Sequence, residues 1–454
     1  MKKYFLAVAS FFIYSHISLG QVYPGQMDST FVPVRSHHYD PELTFDFCVN
    51  EPAWSNQAGI HSAFGSTDRL YFRKEVPVNH DNDLSSSYST TVWRGERANA
   101  QILVWSSEAL EQVRVSTQDL RSAEGNIIPK DRITFELVRY VLSNYPYAEK
   151  KAICGESPYK SGFLMPDRFE TLDRFDLPSQ TTRPVWMMVD VPRGTVPGTY
   201  KGQVEVRAKG KAPQLLNLEI VVQNQLLPYP KDWKYRLDLW QNPWAVAWYN
   251  HVEPWSPEHK MLLKQHLKHY ADAGGTYITT YGVHSPWSDN SYMIEGGMIE
   301  WIKKADGTWA FDYKIFDEYV ELAMECGIDE AITLYTPIPW GFRHRYKDEA
   351  TGDYSYINWA PSSEEFKKMW NIFLTDFKFH LEAKSWLDIT YIGINENPME
   401  ETLAAINVVR NHDKCWKITY AGNWHKELDG LLDDYSFLYG EEPTIAEQKA
   451  RAAT

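Results

Sequence analysis

The stretch Ser256-Pro-Glu-His-Lys-Met-Leu-Leu-Lys-Gln-His-Leu-Lys-His-Tyr-Ala-Asp-Ala-Gly-Gly-Thr-Tyr-Ile-Thr-Thr-Tyr281 decides the fold of the C-terminal half. Ser256 is a helix N-cap, Pro257 suits the first helical position, and Glu258 faces the positive helix end. The helix runs to about residue 273, where Gly274-Gly275 ends it. Residues 277–281 are then apolar and β-branched enough for a strand. One helix handed directly to one strand is half of a βα repeat, and the pattern recurs on both sides of it. Residues 236–240 read as a strand before it. After it come a helix at 316–325 closed by Gly327 and a strand at 330–334. A capping box at Ser362 and Glu365 opens a helix through residue 379. A strand at 389–394, a helix at 401–411 and strands at 416–421 and 435–438 follow. Residues 444–452 begin another helix. About six βα units imply a parallel sheet wrapped by helices. A (β/α)8 TIM-type barrel needs eight, so residues 229–454 read as a barrel that is C-terminally truncated, with its last strand edge unpaired.

Upstream the period changes from 3.6 to 2. Gln101-Ile-Leu-Val-Trp105 and Gln112-Val-Arg-Val-Ser116 are short alternating runs between polar turns. Pro184-Val-Trp-Met-Met-Val-Asp-Val-Pro192, the turn around Val196-Pro-Gly-Thr-Tyr200 and Gly202-Gln-Val-Glu-Val-Arg207 give strand, turn, strand. A last strand spans residues 216–222. Many short strands with regular turns imply a β-sandwich over residues 21–228. Leu227-Pro-Tyr-Pro230 is a stiff linker, since neither proline can donate to a ladder. The chain is thus multidomain.

Residues 1–20 read as an export signal. Lys2 and Lys3 lead an apolar run too short to cross a membrane, and Ser18 and Gly20 supply the small residues of a cleavage site. No later run reaches about 18 apolar residues, so no integral membrane segment is expected in the mature chain. The expected location is periplasmic or extracellular. The four cysteines, Cys48, Cys154, Cys326 and Cys415, are scattered singly, without metal-type spacing. Neither a metal nor a cofactor is implied. Cys326 and Cys415 read as buried structural thiols, and whether Cys48 and Cys154 are bridged within the first domain stays open. The net charge of −14 argues against nucleic acid, which needs clustered Lys and Arg. Aromatic residues make up 15% of the chain, with 18 Trp and 28 Tyr. Such rings serve a large core or stack on sugars, and composition does not choose between them.

Chemistry in a barrel gathers at the C-terminal strand ends. Strand ends here carry Asp238, Trp240, Gln241 and Asn242; Thr280, Tyr281 and His284; Tyr335, with Trp340 in the next loop; Asn395 and Glu396; Tyr420, Asn423, Trp424 and His425; and Tyr439, Glu441 and Glu442. Glu396 follows the apolar run Tyr391-Ile-Gly-Ile394. A carboxyl directly after a buried strand is expected beside apolar walls, and desolvation of that kind suits a general acid. The competing reading is a surface glutamate near the start of the helix after Pro398.

The segment Thr390-Tyr-Ile-Gly-Ile-Asn-Glu-Asn-Pro-Met-Glu400 resembles the catalytic segment of glycoside hydrolase family 123, the β-N-acetylgalactosaminidases. The Val196–Tyr200 turn and Leu239-Trp-Gln-Asn-Pro243 extend that resemblance through most of the chain. It implies an exo-acting enzyme that releases terminal β-linked N-acetylgalactosamine from glycans by a substrate-assisted retaining mechanism, an exception to the two-carboxylate rule. On this resemblance Glu396 is the catalytic acid. The residue before it, an Asp in the family, orients and polarises the 2-acetamido group; here it is Asn395. Substrate contacts are expected from Trp240, His284, Tyr335, Trp340, Tyr420 and Asn423.

A neutral amide cannot balance the charge that develops on the acetamido group, a loss of about 2.7 to 4 kcal/mol, or 100- to 1000-fold. Asn395→Asp is therefore expected to raise the rate by roughly 100-fold or more. Asn395 leaves three readings open: an engineered substrate trap, a natural variant that works with Asn, or a weakened glycan binder. The main alternative to an enzyme is a non-catalytic glycan-binding protein on the same scaffold. A further one is a glycosidase pairing Glu396 with Glu441 or Glu442 at about 5 to 5.5 Å.

Overall fold

The computed structural model describes residues 51–78, 84–143, 163–171, 173–287 and 296–437. The export signal, the Cys48–Cys154 pairing, residues Tyr439, Glu441 and Glu442, and the helix from 444 lie outside the described residues. Two compact units divide the chain, the first ending at Leu227 and the second starting at Pro228.

The described residues of the N-terminal unit form two sheets. One is antiparallel, in the spatial order His61–Gly65, Arg97–Ser106, Thr181–Asp190, Ile133–Ser143, Phe163–Thr171. The other orders Ser87–Arg94, Gln214–Leu226, Gly198–Arg207, Leu110–Thr117 and Phe175–Leu177, with its first pair parallel. Alternation decides which side chains go inward. Ala100, Ile102 and Val104 of one sheet and Val204, Val206, Leu218 and Ile220 of the other are buried in a single aliphatic core.

In the C-terminal unit the strands are β1 (Tyr277–Tyr281), β2 (Glu300–Lys303), β3 (Trp309–Asp312), β4 (Ala331–Tyr335), β5 (Arg343–Asp348), β6 (Tyr354–Asn358), β7 (Thr390–Ile394), β8 (Lys417–Ala421) and β9 (Asp434–Ser436). The helices are α1 (Pro243–Asn250), α2 (Pro257–Asp272), α3 (Lys314–Glu325), α4 (Glu364–Lys384) and α5 (Met399–His412). Strands β1, β4, β7, β8 and β9 form one sheet in sequence order, and every pair is parallel. Helices α2, α3, α4 and α5 each precede a strand of that sheet. Ser256 caps α2, accepting from the His259 amide at 3.2 Å. The cap of α4 is Ser363, one residue later than the capping box predicts. Helix α4 buries Phe366, Met369, Trp370, Phe373, Leu374, Phe377 and Leu381, a 3.6-residue stripe that packs into the core.

Three expectations need correcting. The strand at 236–240 is reduced to one parallel bridge, Leu237 with Gly275. Side chains take over its backbone partners. The Tyr270 hydroxyl receives the Leu239 amide at 3.2 Å and lies 2.9 Å from the Leu237 carbonyl, while Gln241 Oε1 accepts the Thr279 amide at 2.9 Å. Second, β2, β3, β5 and β6 form a separate mixed sheet that the βα reading passes over. Third, Cys415 is exposed rather than buried; Cys326 is a buried free thiol.

Candidate active site

The ends of β1, β7 and β8 and the loops after them enclose a cavity of about 410 Å3. Trp240, Trp287 and Trp340 line it, with Gln241, Asn242, Tyr281, Asn395, Glu396, Ala421 and Gly422. Asn242 caps α1 by accepting the Ala245 amide at 3.3 Å, which fixes the chain just after Trp240. Trp240 is 48% exposed, and its ring stacks on Trp287 at 5.2 Å. Tyr335 supports both rings from below, at 4.9 and 5.4 Å. Gly393 of β7 makes room for Tyr335: a Cβ there would lie 2.9 Å from that ring.

Glu396 is exposed at the cavity wall. Residues Ile392 to Asn395 are buried, but the chain leaves the sheet after Ile394, so the carboxylate stands beyond the apolar strand rather than between its walls. The Asn423 Nδ2 donates to Glu396 Oε1 at 2.7 Å, and the Asn423 amide adds a 3.4 Å contact. Asn423 is anchored in turn, its carbonyl receiving the Tyr435 hydroxyl at 2.8 Å. Asn395 is 1% exposed. Its side chain satisfies every neighbour in one orientation: Nδ2 donates to Thr336 Oγ1 and to the Ile338 carbonyl, both at 2.8 Å, and Oδ1 accepts from Trp340 Nε1 at 3.3 Å.

The remaining expected contacts divide. Trp240 and Trp340 line the cavity, and Asn423 holds the acid. Tyr335 and Tyr420 lie beneath it, 1% and 0% exposed. The Tyr420 hydroxyl sits under Gly422, where a Cβ would come within 2.6 Å of it. Burial, with Glu396 nearby, pushes the Tyr420 hydroxyl up to about 12. His284 turns to another partner, Arg345 Nη1 at 3.4 Å; burial and the Arg345 and Arg343 charges push it down to about 4. Below the aromatic floor Asp238 is pushed up to about 6, chiefly by burial, against the Arg236 charge. Trp287 is the lining residue that strand-end reading passes over. It lies six residues past β1, and only Pro286 before it marks an ordered turn. No group of three metal-ligating side chains occurs among the described residues, and no described helix is long and apolar enough to cross a membrane.

Residues 240–454 match the family description "Glycoside hydrolase 123, catalytic domain", and residues 64–208 match "Glycoside hydrolase 123 N-terminal domain". Among solved structures, a family 123 glycoside hydrolase from Clostridium perfringens, described for glycolipid glycan hydrolysis, is 25% identical. The alignment covers 84% of this chain and 67% of that one, with a TM-score of 0.73. A family 39 glycoside hydrolase from Bacteroides cellulosilyticus WH2, at 13% identity over 68% of this chain and 48% of that one, has a TM-score of only 0.23. A comparison with curated proteins gave no match. The two family descriptions follow one another in the order sandwich-like unit, then βα unit, and they account for both halves of the architecture: the chain belongs to glycoside hydrolase family 123.

Proposed function

We propose that this glycoside hydrolase is exported and releases terminal β-linked N-acetylgalactosamine from glycans by a substrate-assisted retaining mechanism, on a TIM-type barrel scaffold. The observation that carries the reading is Glu396: an exposed carboxyl, aimed by Asn423 at 2.7 Å, on the wall of a cavity rimmed by three tryptophans. The sequential parallel order of β1, β4, β7, β8 and β9 supports the barrel, since consecutive βα units laid side by side give that order.

In this mechanism the acetamido carbonyl oxygen attacks the anomeric carbon as the glycosidic bond breaks. The Glu396 proton passes to the departing oxygen, which leaves as an alcohol. Water then attacks the anomeric carbon of the oxazolinium intermediate, giving a proton back to Glu396 and restoring the acetamido group. Each proton transfer of this type contributes about 100- to 10,000-fold. The half-exposed Trp240, backed by Trp287, suits the apolar face of a sugar.

The test is hydrolysis of an aryl β-N-acetylgalactosaminide beside the matching aryl β-galactoside, which has a hydroxyl at C2. Turnover of the first alone is expected. Equal turnover of both would remove substrate assistance. N-acetylgalactosamine binding with no turnover would favour the glycan-binding alternative.

A further inference from the structure

The expectation from sequence is that a carboxylate at position 395 would serve the acetamido group better than an amide. The surroundings of Asn395 argue otherwise. The atom of its side chain that lies 2.8 Å from the Ile338 carbonyl must be a donor, because a carbonyl oxygen only accepts. Asn397 Nδ2 already donates to that same carbonyl at 3.0 Å, so two amides converge on it. The Thr336 hydroxyl can turn its proton either way and decides nothing. Trp340 Nε1 can only donate, and it meets Asn395 Oδ1 at 3.3 Å. One fixed acceptor and one fixed donor therefore read the two ends of the amide and set its orientation.

We infer that Asn395 is a positioning residue whose amide ties the loop from Thr336 to Trp340 to the end of β7, holding the Trp340 ring at the cavity wall with only the Asn395 oxygen turned toward Trp340. The site is built around an amide, and a carboxylate would bring a bare oxygen within 2.8 Å of the Ile338 carbonyl with no room to hydrate, since the residue is 1% exposed. The inference rests on the reading of this cavity as the sugar site only for its effect on turnover.

Asn395→Asp should behave as wild type where the new carboxyl is protonated and fail where it ionises. A group whose charged form is disfavoured in the fold keeps its stability below its unfolded titration range and loses it as pH rises. Melting of the free protein, without any sugar, should show Asn395→Asp within about 2 °C of wild type at pH 4.5 and at least about 5 °C below it at pH 8. On the aryl β-N-acetylgalactosaminide, kcat/KM of the variant should be near wild type at pH 5 and fall about 100-fold relative to it by pH 8. Trp340→Phe, which keeps a ring but loses the N–H, should raise KM about 10-fold with kcat within about threefold, without new pH dependence. Melting of Asn395→Asp parallel to wild type from pH 4.5 to 8, or a faster variant at pH 8, overturns the inference. If Asn395→Asp does not fold at any pH, a wild-type KM in Trp340→Phe overturns it. A pH-dependent melting difference in a chain with no turnover would leave the inference standing and defeat the proposed activity.

Discussion

Two aromatic clusters in the C-terminal unit use the same rings for opposite ends. One fills the core between the small mixed sheet and α4: Trp301 stacks on Phe373 at 4.8 Å and meets Trp370 at 5.6 Å, and His344 lies 4.9 Å from Trp359. These residues are 0 to 4% exposed. The other cluster, Trp240, Trp287 and Tyr335, is just as tightly spaced but leaves Trp240 half open and stands beside a carboxyl. Ring-to-ring distance does not separate them. What separates them is whether the rings lie behind the sheet or beyond its strand ends. Abundant tryptophan is therefore evidence for both readings at once, a core and a sugar platform, and only placement assigns each ring.

Removing the carboxyl that the second cluster surrounds should have the largest effect. Glu396→Gln should lower kcat for substrates with poor leaving groups by about 100- to 10,000-fold. An activated aryl glycoside, whose leaving group hardly needs the proton, should lose far less. Because Glu396 is exposed, melting should not move. Equal losses on the two substrates would remove the acid role.

Truncating one ring in each cluster then exchanges the readouts. Trp370→Ala empties a site that is 0% exposed and should cost about 3 to 5 kcal/mol in denaturant unfolding. Trp240→Ala should change stability by no more than about 0.5 kcal/mol while weakening sugar binding by about 1 kcal/mol, close to fivefold in KM. A Trp240→Ala protein that loses stability and keeps its KM would put that ring in the core.

Placement relative to strand ends was largely legible in the sequence, because period and punctuation report it. The helix from Pro257, the strand ending before Asn395 and the alternating run at residues 101–105 all follow from spacing that packing then reinforces. Legibility failed where side chains replace backbone pairing. Residues 236–240 have strand composition, yet the Tyr270 hydroxyl, 31 residues on, takes the Leu239 amide, and Gln241 takes the Thr279 amide of β1, 38 residues away. It failed again at β2, β3, β5 and β6, whose strands are four to six residues long and lie in the connections from β1 to α3 and from β4 to α4. Asp306-Gly307, with Gly307 at φ 84°, is a hairpin signal that marks the turn between β2 and β3. The mutual hold of Asn423 on Glu396 joins residues 27 apart, a contact that no local pattern records.

Groups in the two clusters respond to pH with opposite sign. His344 is buried among the core rings, its Nδ1 donating to the Phe342 carbonyl at 3.1 Å and its Nε2 accepting from Trp370 Nε1 at 3.3 Å. Burial pushes it down to about 4. It stays neutral in the fold where the unfolded chain protonates, so stability present above about pH 6.5 is lost as pH falls toward 4. The loss should reach about 2 to 3 kcal/mol. In His344→Phe the acid slope should shrink by that amount, although the baseline drops because Trp370 loses its acceptor. An unchanged slope would mean that His344 protonates without penalty. His284 has the same sign and remains as a residual slope in that variant.

Asp238 is the corresponding group under the cavity cluster, and the smallest effect expected. Burial pushes its carboxyl up to about 6, helped by Asp434 and opposed by Arg236. Arg236 is itself committed to Asp434, and Asp238 Oδ1 has no hydrogen-bond partner among the described residues. The charged form is thus poorly met. Because the folded-state value lies above the unfolded one near 3.9, the fold binds this proton more tightly, and stability falls as pH rises from about 4 to about 6. After allowance for partial exposure the penalty above pH 6 should be about 1 to 2 kcal/mol. Asp238→Asn keeps the shape and removes the charge. Its stability should match wild type near pH 4 and exceed it by that amount at pH 7.5, measured by denaturant unfolding at both values. A variant equally or less stable at pH 7.5 would mean that Arg236 compensates the Asp238 charge fully. The aromatic floor would then rest on an ion network rather than on a buried carboxyl that the fold tolerates.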